Sequence, residues 1–97
     1  MKIIKTKFKD LKIIKHNNFA DNRGFLKFTY NKKIINWDNF IFDYLAYSKK
    51  NVFRGFHFQY KNQQAKLISV IKGKVLDCVV DLRKNSKTFG QSYKITM

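Results

Sequence analysis

Apolar positions along this chain fall in short runs broken by polar turns, a pattern that is mostly β. Residues 11–15 form a short apolar segment closed by His16-Asn17-Asn18. Asp21-Asn22-Arg23-Gly24 reads as a turn, with glycine free to take a positive φ, and an aromatic-rich strand follows over 25–30. Residues 34–39, which carry Trp37, are ambiguous and compatible with one helical turn. The apolar run 40–47 predicts a strand, 48–51 a polar turn, and 52–60 the next strand. In that strand Val52, Arg54, Phe56, Phe58 and Tyr60 share one face, while Phe53, Gly55, His57 and Gln59 share the other. Residues 66–71 and 75–82 flank Lys72-Gly73-Lys74, a hairpin signal. Gly90 leads into a last strand over 91–95. With no repeat, linker or low-complexity stretch, residues 1–97 are expected to make a single domain.

Composition narrows the classes. A chain that is 44% hydrophobic and 16% aromatic is not a disordered one. The net charge of +15 invites a nucleic-acid reading, since clustered cations neutralise phosphates. Eighteen of the 21 basic residues are lysines spread evenly along the chain, with no arginine cluster. Glutamate is absent, while Ile, Lys, Asn, Phe and Tyr, all with A/T-rich codons, are heavily used. A solvated lysine surface is therefore expected, and nucleic acid is not an expected partner. The lone Cys78 allows no internal disulfide and no cysteine-based zinc site. Charge interrupts Met1-Lys2-Ile3-Ile4-Lys5 too soon for a signal peptide, and no long apolar segment follows. The expectation is a soluble cytoplasmic protein with no membrane contact.

The candidate chemistry gathers between residues 53 and 81. Phe53-Arg54-Gly55-Phe56-His57-Phe58-Gln59 is followed by Lys66, Asp77 and Asp81. An imidazole titrates near neutral pH and can take a proton without large tuning. A nearby ammonium favours the neutral ring and can steady an enolate. Arginine offers a bidentate fork to phosphate or carboxylate that lysine does not match, which marks Arg54 and Arg23. The plainer readings are a satisfied core histidine, and ion pairs from Arg54 to Asp77 or Asp81 and from Arg23 to Asp21. Arg83, Lys84 and Lys87 read as a solvated loop. Strict alternation separates Arg54 from His57 unless a bulge at Gly55 re-aims one of them. A metal site is not expected: Gln59 stands where a second histidine ligand would sit, and His16 is distant.

Asn51-Val52-Phe53-Arg54-Gly55-Phe56-His57-Phe58-Gln59, then Gln64-Ala65-Lys66-Leu67, Gly73-Lys74-Val75-Leu76-Asp77, and the stretch from Val80-Asp81-Leu82-Arg83 to Phe89-Gly90 together resemble the dTDP-4-dehydrorhamnose 3,5-epimerase family. Asp21-Asn22-Arg23-Gly24-Phe25 is similar to that family's earlier turn and strand. The resemblance spans roughly residues 8–97 and is strongest from residue 51 onward. It implies an all-β, cupin-like double-stranded β-helix (jelly roll), incomplete in so short a chain, acting as a homodimer with no cofactor and no metal.

The implied reaction is epimerisation of dTDP-4-dehydro-6-deoxy-D-glucose to dTDP-4-dehydro-L-rhamnose, on the way to surface polysaccharide. Both inverted carbons lie α to the C4 ketone. By the resemblance His57 is the general base, Lys66 steadies the enolate oxygen, and Asp77 supports the site. Arg54, Arg23 and Gln59 are the substrate-binding set. Departures from the family pattern are Lys27 and Phe28, where Phe and Glu are common, and Phe42, where Gln is usual. Family members also continue past the equivalent of Met97, into a portion that carries a tyrosine acid and an aspartate that orients the base. Alternatives are a related 3,4-ketoisomerase of dTDP-4-keto sugars, a non-catalytic remnant or sugar-nucleotide-binding fragment, and a basic nucleic-acid-binding β-domain.

Overall fold

The computed structural model describes residues 1–97 and contains six β-strands and no helix. The chain divides into two compact units, Met1–Asn31 with Ser69–Met97, and Lys32–Ile68. All six strands belong to the first unit, as three antiparallel pairs.

In the first pair, β1 (Lys2–Lys5) lies against β2 (Lys12–Lys15). Both strands read Lys-Ile-Ile-Lys, and the register sets Lys2 opposite Lys15, Lys5 opposite Lys12, and isoleucine opposite isoleucine between them. Like charges directly across a ladder are unfavourable, so apolar pairing and the connecting turn must outweigh them. That turn is tied locally. Thr6 Oγ1 donates to the carbonyls of Leu11 (2.8 Å) and Phe8 (3.2 Å), and it accepts from the Phe8 N–H at 3.1 Å. Phe8 is buried, its ring 6.3 Å from that of Tyr93.

The expected turn at Asp21-Asn22-Arg23-Gly24 is a two-residue hairpin between β3 (Phe19–Asp21) and β4 (Gly24–Leu26), with Asp21 opposite Gly24. Gly24 has φ +136°, a conformation L side chains rarely adopt, and no atom lies within 4 Å of where a Cβ would stand. Glycine is required there by backbone conformation rather than by space.

The last strand expected from the sequence is present as β6 (Ser92–Thr96), and its partner is β5 (Leu76–Val80). Mutual hydrogen bonds of 2.8 Å between Val75 and Met97 extend the ladder at one end, and Asp81 N–H to the Gln91 carbonyl (3.0 Å) extends it at the other. The residue 66–71 stretch was expected to pair across Lys72-Gly73-Lys74. It does not: Gly73 takes φ +88° as a turn residue, but no ladder forms between the flanking runs.

The Lys32–Ile68 unit holds turns and extended backbone without a strand. The runs 40–47 and 52–60, both expected to be strands, form no β-ladder. Extended chain becomes a strand only when a second segment pairs with it, and none does so here. The turn between them is present: Val52 N–H donates to the Lys49 carbonyl (3.3 Å), with Asn51 at φ +66°. Residues 32–38 form turns and bends rather than a helical turn, and Ile35 among them is fully buried.

Candidate functional site

Of the six residues singled out from the sequence, Arg54, His57, Gln59 and Lys66 lie in the Lys32–Ile68 unit. Arg23 and Asp77 lie in the other.

Arg54 is exposed but anchored. Its Nε donates to Ser48 Oγ (2.8 Å) and its Nη2 to the Tyr47 carbonyl (2.9 Å), so the guanidinium braces the preceding turn. It pairs with neither Asp77 nor Asp81. Regular alternation does not hold through this segment. Phe42 and Tyr44, two residues apart, stack at 6.4 Å, as same-face neighbours on extended chain do. Phe53 and Phe56, three residues apart, meet edge-to-face at 6.1 Å, which alternation forbids. The break falls at Gly55, which has φ +121°. The rule that would send Arg54 and His57 to opposite faces therefore lapses between them.

His57 and Lys66 are exposed, and Gln59 is half-buried. No hydrogen bond or ion pair joins any two of the four residues in this unit.

In the other unit Asp77 is half-buried on β5, opposite Ile95. Strand geometry puts it on the same face as Val79, Tyr93 and Ile95. Arg23 forks onto Asp21: Nη2 to Oδ2 is 2.7 Å, and Nε lies 3.3 Å from both carboxylate oxygens. This is the ion pair that the plainer reading of Arg23 anticipated. The guanidinium holds the Asp21 carboxyl below its usual range, and the carboxylate raises the arginine in turn. The Arg23 side chain is 86% exposed. A concavity of about 270 Å³ on this hairpin is lined by Phe19, Asp21, Arg23, Gly24, Phe25 and Leu26.

The strongest polar cluster was not anticipated. Arg83, expected to lie in a solvated loop, is its hub. Asp81 has a 2% exposed side chain and accepts from Arg83 Nε (2.9 Å) and Nη2 (3.0 Å), Ser86 Oγ (2.6 Å) and Thr88 Oγ1 (2.6 Å). Arg83 Nη1 reaches Asp10 at 2.7 Å. Arg83 first, then the two hydroxyls, hold the Asp81 carboxyl far below the usual carboxylate range. The one sequence signal for this cluster was Asp81 itself, a carboxylate on an apolar row that needs partners. Its contacts are internal, and they order the connection between β5 and β6. No three His, Cys or Asp side chains gather as a metal-binding group. No helix is long and apolar enough to cross a membrane.

Comparison with known proteins adds to this geometry. The family model for dTDP-4-dehydrorhamnose 3,5-epimerase matches residues 5–97. A curated relative of that name from Salmonella typhimurium is 43% identical over 97 residues, covering 94% of this chain and 53% of its own. One from Methanothermobacter thermautotrophicus is 38% identical, covering 93% of this chain and 51% of its own. The Bacillus anthracis epimerase, solved with TDP and PPi bound, superposes with a TM-score of 0.92 at 38% identity, covering 99% of this chain and 58% of that one. The chain thus spans about half the length of these curated relatives. The likeness bears out the all-β, cupin-like reading of the fold.

Proposed function

Since the chain belongs to the dTDP-4-dehydrorhamnose 3,5-epimerase family, we propose that it takes part in inverting the carbons flanking the C4 ketone of a dTDP-4-keto-6-deoxy sugar. Residues 1–97 are read as one epimerase-like domain that works as a homodimer in the cytoplasm. The observation that carries the proposal is the family match over residues 5–97, which includes all six site residues.

The chemistry follows from acidity α to a carbonyl. His57 takes the proton from C3 or C5, the electron pair moves onto the C4 oxygen, and the Lys66 ammonium stabilises the enolate. Return of a proton to the opposite face completes inversion. His57 has an exposed ring with no internal partner, which supports a base available to a ligand. Asp77, half-buried on β5, is assigned to support the site. Arg54, held by the turn before it, grips the diphosphate or sugar, and Gln59 adds an amide to the substrate-binding set. Arg23 sits on an exposed hairpin flanked by Phe19 and Phe25, an arrangement suited to an anionic nucleotide with an aromatic base. The TDP seen in the Bacillus anthracis relative supports that assignment.

The test is incubation with dTDP-4-dehydro-6-deoxy-D-glucose in deuterated water, following C3 and C5 by NMR. Exchange is expected, and it should fall by about 10²–10⁴ in His57→Ala, the range for loss of a general base. A folded sample that exchanges neither position, or a His57→Ala variant that exchanges normally, overturns the proposal.

A further inference from the structure

The chain builds the same clip twice. In Asp21-Asn22-Arg23 and in Asp81-Leu82-Arg83 an arginine follows an aspartate by two residues. Each aspartate accepts the arginine's own backbone N–H through Oδ1, at 2.8 Å in the first clip and 3.0 Å in the second. Each then takes the guanidinium side-on, Nε to Oδ1 (3.3 and 2.9 Å) and Nη2 to Oδ2 (2.7 and 3.0 Å). The chain has three arginines, and two of them are held in this way.

Side-on pairing engages one edge of a planar five-donor group and turns Nη1 outward with its direction fixed. In the second clip an anion meets that atom: Asp10 Oδ2 lies 2.7 Å from Arg83 Nη1. The first carboxylate sets the plane, and a second anionic oxygen takes the outer nitrogen. There both acids belong to the chain, and the Asp81 side chain is only 2% exposed. In the first clip the Asp21 side chain is 50% exposed and that of Arg23 86%, so the outer edge faces solvent on the hairpin. Closing that turn does not need a charge at position 21. Asparagine or serine closes such a turn through its side-chain oxygen, and an exposed ion pair adds little to stability. What the charge acts on is the guanidinium.

We infer that Asp21 is a positioning residue for nucleotide binding, fixing the plane of Arg23 so that Nη1 meets a diphosphate oxygen as Arg83 Nη1 meets Asp10. This role rests on the assignment of Arg23 to the nucleotide, and it gives Asp21 two opposed effects. Its negative charge repels a diphosphate, whereas its fork removes the cost of ordering a long side chain on binding. Salt screens the first effect far more than the second.

The experiment is titration of the nitrogen-15-labelled chain with thymidine diphosphate, followed by NMR in about 0.5 M sodium chloride, where repulsion is largely screened. Asp21→Asn keeps the turn-closing oxygen and loses the charge. It should weaken binding by about two- to tenfold, the range for ordering one such side chain, even though the net charge becomes more favourable. In an Arg23→Lys background the same change should leave binding unchanged or tighten it, because only the repulsion is left to remove. A residue that merely held the hairpin would weaken binding in both backgrounds. In the free protein the Arg23 Nε–H should exchange with water faster in Asp21→Asn than in the wild type, with the β3–β4 amide shifts retained. Asp21→Ser, which closes the turn with a hydroxyl, repeats the comparison should the asparagine variant disturb the hairpin. Equal or tighter binding in Asp21→Asn alone, or equal weakening in both backgrounds, overturns the role of Asp21 while leaving that of Arg23 intact. Arg23→Ala that binds thymidine diphosphate like the wild type, or a wild type that does not bind it, overturns the nucleotide assignment of Arg23 and the role of Asp21 with it.

Discussion

Asp81 shows how much one carboxylate can organise. Its four side-chain hydrogen bonds, two from Arg83 and one each from Ser86 and Thr88, are all to the ionised form. They depress its folded pKa. A depressed acid contributes stability that is complete above the unfolded pKa of about 4 and is lost as pH falls below it. Thermal melts should therefore show a plateau above pH 5 and a decline from pH 4 downward. Asp81→Asn should lower the melting temperature by several degrees at pH 7 and flatten that decline. A variant with the wild-type acid slope would mean that another group governs it. Arg54 makes a second residue-scale case. Its fork reaches a hydroxyl and a carbonyl at once, and lysine cannot reproduce that geometry. In the NMR exchange assay, Arg54→Lys should raise KM more than it lowers kcat if the arginine positions substrate.

At the scale of elements, turns were far more legible than strand partners. Asp21 to Gly24, the 48–51 turn and Gly73 each announce themselves through glycine, asparagine or serine, because turn conformations depend on local chemistry. Pairing depends on what lies alongside, which periodicity does not encode. The 75–82 run was matched to its sequence neighbour, yet β5 pairs with β6 from the end of the chain. β1 was read only as too charged for a leader, though its repeated Lys-Ile-Ile-Lys partner was in plain view. In the candidate site, residue types were legible, whereas the lapse of alternation at Gly55 needed backbone angles. Two measurements probe these elements. Gly24→Ala places a Cβ at φ +136° and should cost about 1–3 kcal/mol in urea unfolding, through conformation alone. Lys2→Glu turns a like-charge pair with Lys15 into an opposite one and should gain about 0.2–1 kcal/mol at low salt.

For the molecule as a whole, two opposed long-range forces set its behaviour in solution. Twenty-four large apolar side chains are exposed, which favours association. A net charge of +15 opposes it. Of the six aspartates, Asp10, Asp21 and Asp81 are already committed to Arg23 and Arg83, so the lysine charge stands largely uncompensated inside the chain. Repulsion between such chains extends over a Debye length, about 10 Å at 0.1 M salt and about 3 Å at 1 M, whereas apolar attraction does not weaken with salt. The balance should therefore tip with ionic strength. Dynamic light scattering is expected to find one narrow species, of the proposed homodimer's size, at low salt and polydisperse species as sodium chloride approaches 1 M. If association were instead strongest at low salt, attraction between unlike charges would dominate, and the lysine surface would be the adhesive element.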